Sequence, residues 1–154
     1  MIEIRVDGDP VAKGRHRSKF MGMRVGEDGK SRPLILQHPD ARTARYEDRV
    51  AWAAQVEMHQ RNLPLFDTAL MMVLDVYVGV PASWSRRKRE QALAGVIRPT
   101  KKPDIDNFQK AICDALNRVV WLDDSQIVDA KVRKFYDLAP RIEIRVDKLR
   151  TGEL

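Results

Sequence analysis

The sequence predicts an α+β fold in which a mixed β-sheet is covered by helices, and a single domain, residues 1–154. Three observations lead to this prediction. The chain of 154 residues and 17.7 kDa suits one hydrophobic core. Segments near both ends, Ile2–Val6 and Ile142–Val146, alternate apolar and polar residues as half-buried strands do. Between them, residues 107–118 carry an apolar stripe at helical spacing.

The first half of the chain predicts a strand, a hairpin and a long helix. The strand Ile2–Val6 ends at Gly-Asp-Pro. Met23–Val25 and Leu34–Leu36 flank a turn at Asp28-Gly29, which predicts a hairpin within the Gly-rich, basic residues 8–39. Asp40 can cap a helix that runs to about Arg61, because the polar and apolar residues that follow it separate onto two helical faces.

The middle of the chain predicts a strand and a short basic helix. Ala69–Val80 is rich in Val, Leu and Met and stops before a proline, so we expect a central strand buried on both faces. Ser83 or Ser85 caps the next helix, and Gly95 follows its end. Residues 96–103 then form an extended connection.

The best-marked helix runs from about Asn107 to Arg118. Asp106 and Gln109 have the spacing of a capping box, so we expect the helix to start there. Its apolar residues recur at intervals of three and four: Phe108, Ala111, Ile112, Ala115, Leu116 and Val119.

Two strands, Ile127–Tyr136 and Arg141–Val146, close the fold around a turn at Ala139-Pro140. Trp52, Trp121 and the 69–80 segment are expected in the core. Phe20, Met21 and Met23 are apolar residues in a basic, Gly-rich segment, and we expect them to be exposed.

Several classes of protein are excluded by composition. The single cysteine, Cys113, allows no internal disulfide, and the three histidines lack the spacing of a zinc site. The longest apolar run, Ala69–Leu74, is far shorter than the roughly 20 residues that span a membrane. The first residues are acidic where a signal peptide would be basic. We therefore expect a cytoplasmic protein without membrane association.

The charge is concentrated in two basic segments. The chain has a net charge of +6 and a pI near 9.7. Residues 83–102 hold seven basic residues and one acid, and residues 13–24 hold five basic residues and no acid. Each segment alone is typical of a solvated surface, whereas the two together favour contact with a nucleic-acid backbone. The candidate contact residues are Lys13, Arg15, Arg17, Arg86, Arg87, Lys88, Lys101 and Lys102.

Two acidic pairs flank the best-marked helix. Asp104 and Asp106 precede it, and Asp123-Asp124 follow it. By spacing alone, capping and turn formation are the favoured interpretation of these residues. Carboxylates between two basic segments are also suited to a Mg²⁺ or Mn²⁺ ion shared with a phosphate. Lys110, one turn after Asp106, pairs with it on the first interpretation and stabilises charge on the phosphate on the second.

Longer motifs carry a family resemblance. KPDIDNFQKAICDAL (residues 102–116) followed by WLDDSQIVD (residues 121–129) resembles the signature of the RusA family of Holliday junction resolvases, including its phage and prophage members. GDPVAKGRHR (residues 8–17) and PASWSRRKREQALAG (residues 81–95) are similar to other segments of that family. His16 departs from it, since a proline is expected there.

The resemblance implies a RusA-like fold and a Mg²⁺-dependent endonuclease, with Mn²⁺ as a substitute. It implies a homodimer, bacterial or prophage-encoded, that nicks four-way DNA junctions symmetrically on two strands in recombination and repair. The metal-binding acids of the family fall on Asp104, Asp106 and Asp124, its catalytic lysine falls on Lys110, and Asp123 is a candidate for supporting that set.

Two alternatives stay open at this point. One is a non-catalytic nucleic-acid-binding accessory protein in which the acids only cap helices. The other is an RNase or general nuclease that uses the same site.

Overall fold

The computed structural model describes residues 1–14, 17–38 and 40–149, and it confirms the mixed fold of helices and sheets. The main sheet has four strands in the order β1-β6-β4-β5, formed by β1 (Ile2–Asp7), β4 (Leu70–Gly79), β5 (Ile127–Asp137) and β6 (Arg141–Lys148). β6 pairs antiparallel with β1 and β4, whereas β5 pairs parallel with β4 and forms an edge.

The helices are α1 (Ala41–Gln60), α2 (Arg86–Leu93) and α3 (Ile105–Leu116), and a short 3₁₀ turn spans Asp124–Gln126. α1 packs on β1 and on α3, and α3 packs also on β5. α2 packs on β5. Within the described part of the chain, no helix is long and apolar enough to cross a membrane.

The core lies between one face of the sheet and the helices α1 and α3. Alternate residues of the strands point into it because side chains along a strand alternate between faces. It contains the side chains of Ile2, Ile4, Val6, Met72, Leu74, Val76, Ile142, Ile144 and Val146 from the sheet, and of Val50, Ala54, Phe108, Ile112 and Leu116 from the helices.

β4 is an interior strand, but the expectation that both of its faces are buried is wrong. Its helix-facing residues are buried, whereas Met71 is exposed on the opposite face. Asp75 is a buried polar residue on that opposite face, and it binds Arg133 from the adjacent strand. The placement of Trp52 in the core is wrong as well: it is 67% exposed on α1, while Trp121 is fully buried as expected.

The predicted hairpin is confirmed and is longer than the sequence indicated. β2 (Arg17–Val25) and β3 (Ser31–His38) form a separate two-stranded sheet, here called the ribbon. The turn includes Gly29 at φ +70°, a conformation that favours glycine. The ribbon exposes seven large apolar side chains: Phe20, Met21, Met23, Val25, Leu34, Ile35 and Leu36.

The two caps predicted for α1 and α2 are confirmed. The Asp40 carboxylate accepts the backbone N–H of Thr43 at 3.2 Å, and the Ser85 hydroxyl accepts that of Lys88 at 3.4 Å. Gly95 follows α2 at φ +77°, as a residue just beyond a helix end commonly does.

Candidate active site

The acidic pair at the start of α3 is arranged differently from the sequence expectation. α3 starts at Ile105 and not at Asp106, so Asp104 is the N-cap residue and Asp106 lies in the first turn. The capping box predicted for Asp106 and Gln109 is therefore absent. The side chain of Asp104 makes no capping hydrogen bond.

Both carboxylates are exposed and available to an external ligand. Within the described residues, no hydrogen bond or ion pair to the side chain of Asp104 or Asp106 is present. They lie at the end of α3 where the helix dipole is positive, which stabilises negative charge. Asp104 occupies the N-cap position, but its carboxylate does not make the capping hydrogen bond.

Lys110 lies on the same side of α3 as Asp106, since the two positions are one helical turn apart and both are exposed. Burial, with the negative charges of Asp124 and Asp114, raises the pKa of Cys113 to about 12. Cys113 is seven residues beyond Asp106, a rise of about 10 Å along the helix. The approach of Asp124 to the acids at the start of α3 stays a prediction.

A tight turn holds Asp123 and Asp124. The chain reverses after α3 with Arg118 at φ +61°, and the ring N–H of buried Trp121 donates to the side chain of Asn117 at 2.9 Å. Asp123 caps the 3₁₀ turn by accepting the N–H of Ser125 at 2.9 Å. The hydrogen bonds from Ser125 lower the pKa of Asp123 below its usual 3.8. Asp123 thus has a structural role beside Asp124.

The capping box that the sequence placed at Asp106 and Gln109 occurs instead at Asp123 and Gln126. The Gln126 side-chain oxygen accepts the N–H of Asp123 at 2.9 Å. Its amide nitrogen donates to the backbone oxygens of Phe66 and Thr68, at 2.9 and 3.1 Å. Gln126 therefore anchors the turn that carries Asp124, a role the sequence analysis missed although the D-x-x-Q spacing was there to find it.

The chemistry of the donors suits a divalent ion only in part. Carboxylate oxygens are the ligands that Mg²⁺ prefers, and one or two of them suffice when water and phosphate complete the shell. Across the residues that the structure covers, however, no three His, Cys, Asp or Glu side chains are grouped closely enough to hold one metal ion. Asp104 and Asp106 supply two exposed carboxylates at the start of α3, and no described group of three acids joins Asp124 to them.

Lys13 lies at a junction between elements. Its ammonium contacts Glu47 of α1 and Asp114 of α3, each at 2.6 Å, and its backbone N–H donates to Asn107 at 3.0 Å. Burial lowers the pKa of Lys13, but hydrogen bonds to Asp114 and Glu47 outweigh this effect and raise it above the usual 10.5. Lys13 therefore ties the N-terminal loop to both helices, and its contact with DNA stays a prediction.

The other candidate DNA contacts are exposed. Lys101 and Lys102 lie directly before Asp104. On α2, Arg86 pairs with Glu90 at 2.9 Å, and the Lys88 ammonium lies 4.0 Å from the ring centre of Trp84. Arg87 is also exposed on α2. Arg15 and the side chain of Arg17 lie outside the described residues.

The same end of β5 anchors both α2 and the segment before Asp104. Trp84, just before α2, packs edge-on against Tyr136 with 5.1 Å between ring centres. Two residues earlier on β5, the Lys134 ammonium donates to the backbone oxygens of Lys101 and Pro103. No motif marked Lys134, because a single lysine in a strand is uninformative without the fold. β5 therefore anchors both α2 and the segment that leads into Asp104.

Comparison with known proteins identifies the family of the chain. A relative from Bacillus subtilis (strain 168), described as "Uncharacterized protein YqaN", is 36% identical over 147 residues, which is 94% of each chain. The family described as "Endodeoxyribonuclease RusA" matches residues 7–147, a stretch that contains both acidic pairs and both basic segments. The chain belongs to the RusA family of endodeoxyribonucleases.

Proposed function

We propose that this protein is a Mg²⁺-dependent endodeoxyribonuclease that resolves four-way DNA junctions by paired, symmetric nicks in recombination and repair. The observation that carries the proposal is the pair of exposed carboxylates at the start of α3. Asp104 occupies the N-cap position without making the capping hydrogen bond, so its carboxylate is available for chemistry. Membership of an endodeoxyribonuclease family supports the class of reaction.

Asp104 and Asp106 are the proposed Mg²⁺ ligands, with Asp124 as the third acid and Mn²⁺ as a substitute ion. Their exposure and the absence of internal partners for the first two support this assignment. When bound, the ion supplies charge that polarises a phosphate oxygen and lowers the pKa of an attacking water. Asp124 is held by the turn that Asp123 and Gln126 build.

Lys110 is the proposed cation that stabilises negative charge on the reacting phosphate. It lies one turn beyond Asp106 on the exposed side of α3. No ion pair to its ammonium is present in the described part of the chain, so its charge is available for a ligand. A preformed cation at the position where charge develops stabilises the transition state with little reorganisation.

The exposed basic residues of α2 and of the 101–102 segment are the proposed contacts with the DNA backbone. Lys101 and Lys102 lie just before Asp104 in the chain. α2 is anchored on Tyr136 and the 101–102 segment on Lys134, and both of these residues belong to β5. Such contacts bind phosphate without regard to base sequence and weaken with salt.

A homodimer is proposed because a four-way junction with near two-fold symmetry needs two equivalent sites, which a C2 dimer provides. The ribbon supports the proposal. An isolated two-stranded ribbon is marginally stable in water, and this one exposes seven large apolar residues. A bacterial or prophage-encoded protein of the cytoplasm is part of the same proposal, and the Bacillus subtilis relative supports the bacterial source.

The experiment that tests the proposal compares substrates. Purified protein is incubated with an end-labelled four-way junction, a linear duplex of the same sequence and a matching RNA, each with and without Mg²⁺. Paired symmetric nicks on the junction, only with metal, are expected. Junction binding that is indifferent to Mg²⁺, with no nicked product, would instead establish the accessory-protein alternative. Equal cutting of duplex or RNA would establish a general nuclease or an RNase.

A further inference from the structure

Lys134 connects the edge of the sheet to the chain just before Asp104. It is half-buried on β5, and it lies in register with Val76 of β4, on the face that the helices cover. Its ammonium donates hydrogen bonds to the backbone oxygens of Lys101 and Pro103, at 2.7 and 2.9 Å. Pro103 is the residue that immediately precedes Asp104.

Arg98 attaches the same segment, residues 98–103, to β5 through contacts of its own. The Arg98 side chain donates to the backbone oxygen of Lys134 at 2.6 Å, and its guanidinium stacks 3.9 Å from the ring centre of Phe135. Residues 98–103 are thus fastened to the edge of β5 at three points. The three hydrogen bonds are reciprocal: the backbone of Lys134 holds Arg98, and its side chain holds the residues on either side of Lys102.

The attachment holds the chain on the N-terminal side of Asp104. The first turn of α3 is itself held by the buried side chain of Phe108 and by the backbone N–H of Lys13, which donates to the backbone oxygen of Asn107 at 3.0 Å. Asp104, however, lacks the capping bond that usually fixes the first turn of a helix, and its backbone oxygen accepts the N–H of Phe108 at 3.4 Å. The position of the Asp104 and Asp106 carboxylates therefore depends also on where the preceding segment is held.

We propose that Lys134 is a positioning residue for the Asp104 and Asp106 carboxylates, acting through the backbone of residues 101–103. The inference rests on the proposed function, since it assigns Lys134 to that site. An ammonium suits the role, because its three N–H donors can serve several carbonyls at once. Lys134 itself is not proposed to touch DNA or metal.

The test replaces Lys134 by Met, which keeps the length of the side chain and removes the donors. Lys131→Met is the matched control, because Lys131 is an exposed lysine of the same strand. Within the described residues, its ammonium makes no hydrogen bond or ion pair. Three quantities are measured for both variants and the wild type: single-turnover nicking of a four-way junction at saturating protein, Mn²⁺ affinity, and hydrogen–deuterium exchange of peptides covering residues 98–108.

We expect K134M to lose about tenfold or more in nicking rate and in Mn²⁺ affinity, the range seen when a residue that orients metal ligands is removed. The junction Kd should change less than the nicking rate does, because the proposed phosphate contacts on α2 are anchored on Tyr136 and not on Lys134. Exchange over residues 98–108 should be faster, and Lys134→Arg should restore part of the rate because it keeps a multiple donor. Lys131→Met should behave as the wild type.

Nicking and Mn²⁺ affinity of K134M equal to those of K131M would overturn the inference, even if exchange were faster, because Lys134 would then be structural only. Two further outcomes separate a failure of the proposed function from a failure of this inference. If the wild type does not nick but K134M still binds Mn²⁺ about tenfold more weakly, the inference stands and the proposed function fails. If the wild type neither nicks nor binds Mn²⁺, both fail.

Discussion

Replacement of Lys13 by Met should destabilise the fold substantially. The Lys13 side chain is only 17% exposed and holds two carboxylates, those of Glu47 and Asp114, each 2.6 Å from its nitrogen. Without the ammonium, those two carboxylates stand within about 5 Å of each other with no cation between them. At an effective dielectric of roughly 20 such a pair repels by about 3 kcal/mol.

Solvent reduces this cost, because the two carboxylates are 20% and 35% exposed. Removal of one partner from a fully buried pair costs roughly 3–5 kcal/mol, and we expect about 2 kcal/mol here. For a domain of this size, that corresponds to a fall in Tm of about 4–8 °C. The assay is urea unfolding at neutral pH, with the Lys131→Met variant as a control expected to lie within about 0.5 kcal/mol of the wild type.

A second substitution tests the cause. Glu47→Gln added to K13M removes the repulsion and should recover about 1 kcal/mol. The pKa of Lys13 is raised in the fold, so its contribution is complete below its usual pKa of 10.5 and is lost only as pH rises through the folded value. The difference between wild type and K13M should thus be constant between about pH 7 and pH 9. A K13M protein as stable as the wild type would refute the reasoning.

Three further predictions concern other parts of the molecule. Asp75→Asn should cost about 2–3 kcal/mol in urea unfolding, because its carboxylate is 4% exposed and makes two 2.6 Å bonds to Arg133; a loss below about 0.5 kcal/mol would contradict this. Hydrogen bonds from the N–H of Ala139 and then from Arg141 lower the pKa of Asp137, so the stability that this carboxylate contributes above pH 3.8 is lost as pH falls. Between about pH 5 and pH 3, Asp137→Asn should therefore lose less free energy of unfolding than the wild type. An equal loss would count against that cause. Substitution by Gln at Arg86, Arg87 or Lys88 of α2 should reduce the slope of log affinity against log salt by about 1 per phosphate contact, while the Tm stays unchanged. An unaltered slope would show that α2 is not part of the DNA-binding surface.

Most elements were predictable because their patterns are local. Strand alternation predicted β1 and β6, and helical spacing predicted α3 to within two residues at each end. Asp40 and Ser85 were recognisable as caps, since each is a good cap residue directly before a helix. In such segments, the backbone conformation and the burial pattern follow from neighbours a few positions apart.

The errors arose where contacts from far along the chain decide the outcome. Two D-x-x-Q sequences exist here, and only the one at Asp123 forms a capping box, because Gln126 there also binds the backbone of residues 66 and 68. The apolar run of β4 indicated burial on both faces, but the face opposite the core carries the exposed Met71 and the buried Asp75, whose carboxylate binds Arg133 and Arg145.

The candidate site was predictable as a set of residues and not as a geometry. The acidic and basic types at Asp104, Asp106, Lys110 and Asp124 are evident in the sequence, and helical spacing puts Asp106 and Lys110 on one side of α3. The attachment by Lys134 was not predictable, because its partners are backbone oxygens 31 and 33 residues away. Every residue has a backbone oxygen, so the residue types do not show which of these oxygens accepts a hydrogen bond.

The most direct test of the central claim is single-turnover nicking of a four-way junction by Asp104→Ala, with unfolding followed on the same preparation. Asp40→Ala is the matched control, since Asp40 does cap a helix and its loss should cost about 1 kcal/mol. We expect that D104A stops nicking with Mg²⁺ present, still binds the junction, and loses less stability than D40A. Nicking by D104A at the wild-type rate, combined with a loss of stability as large as that of D40A, would show that Asp104 is only a helix cap.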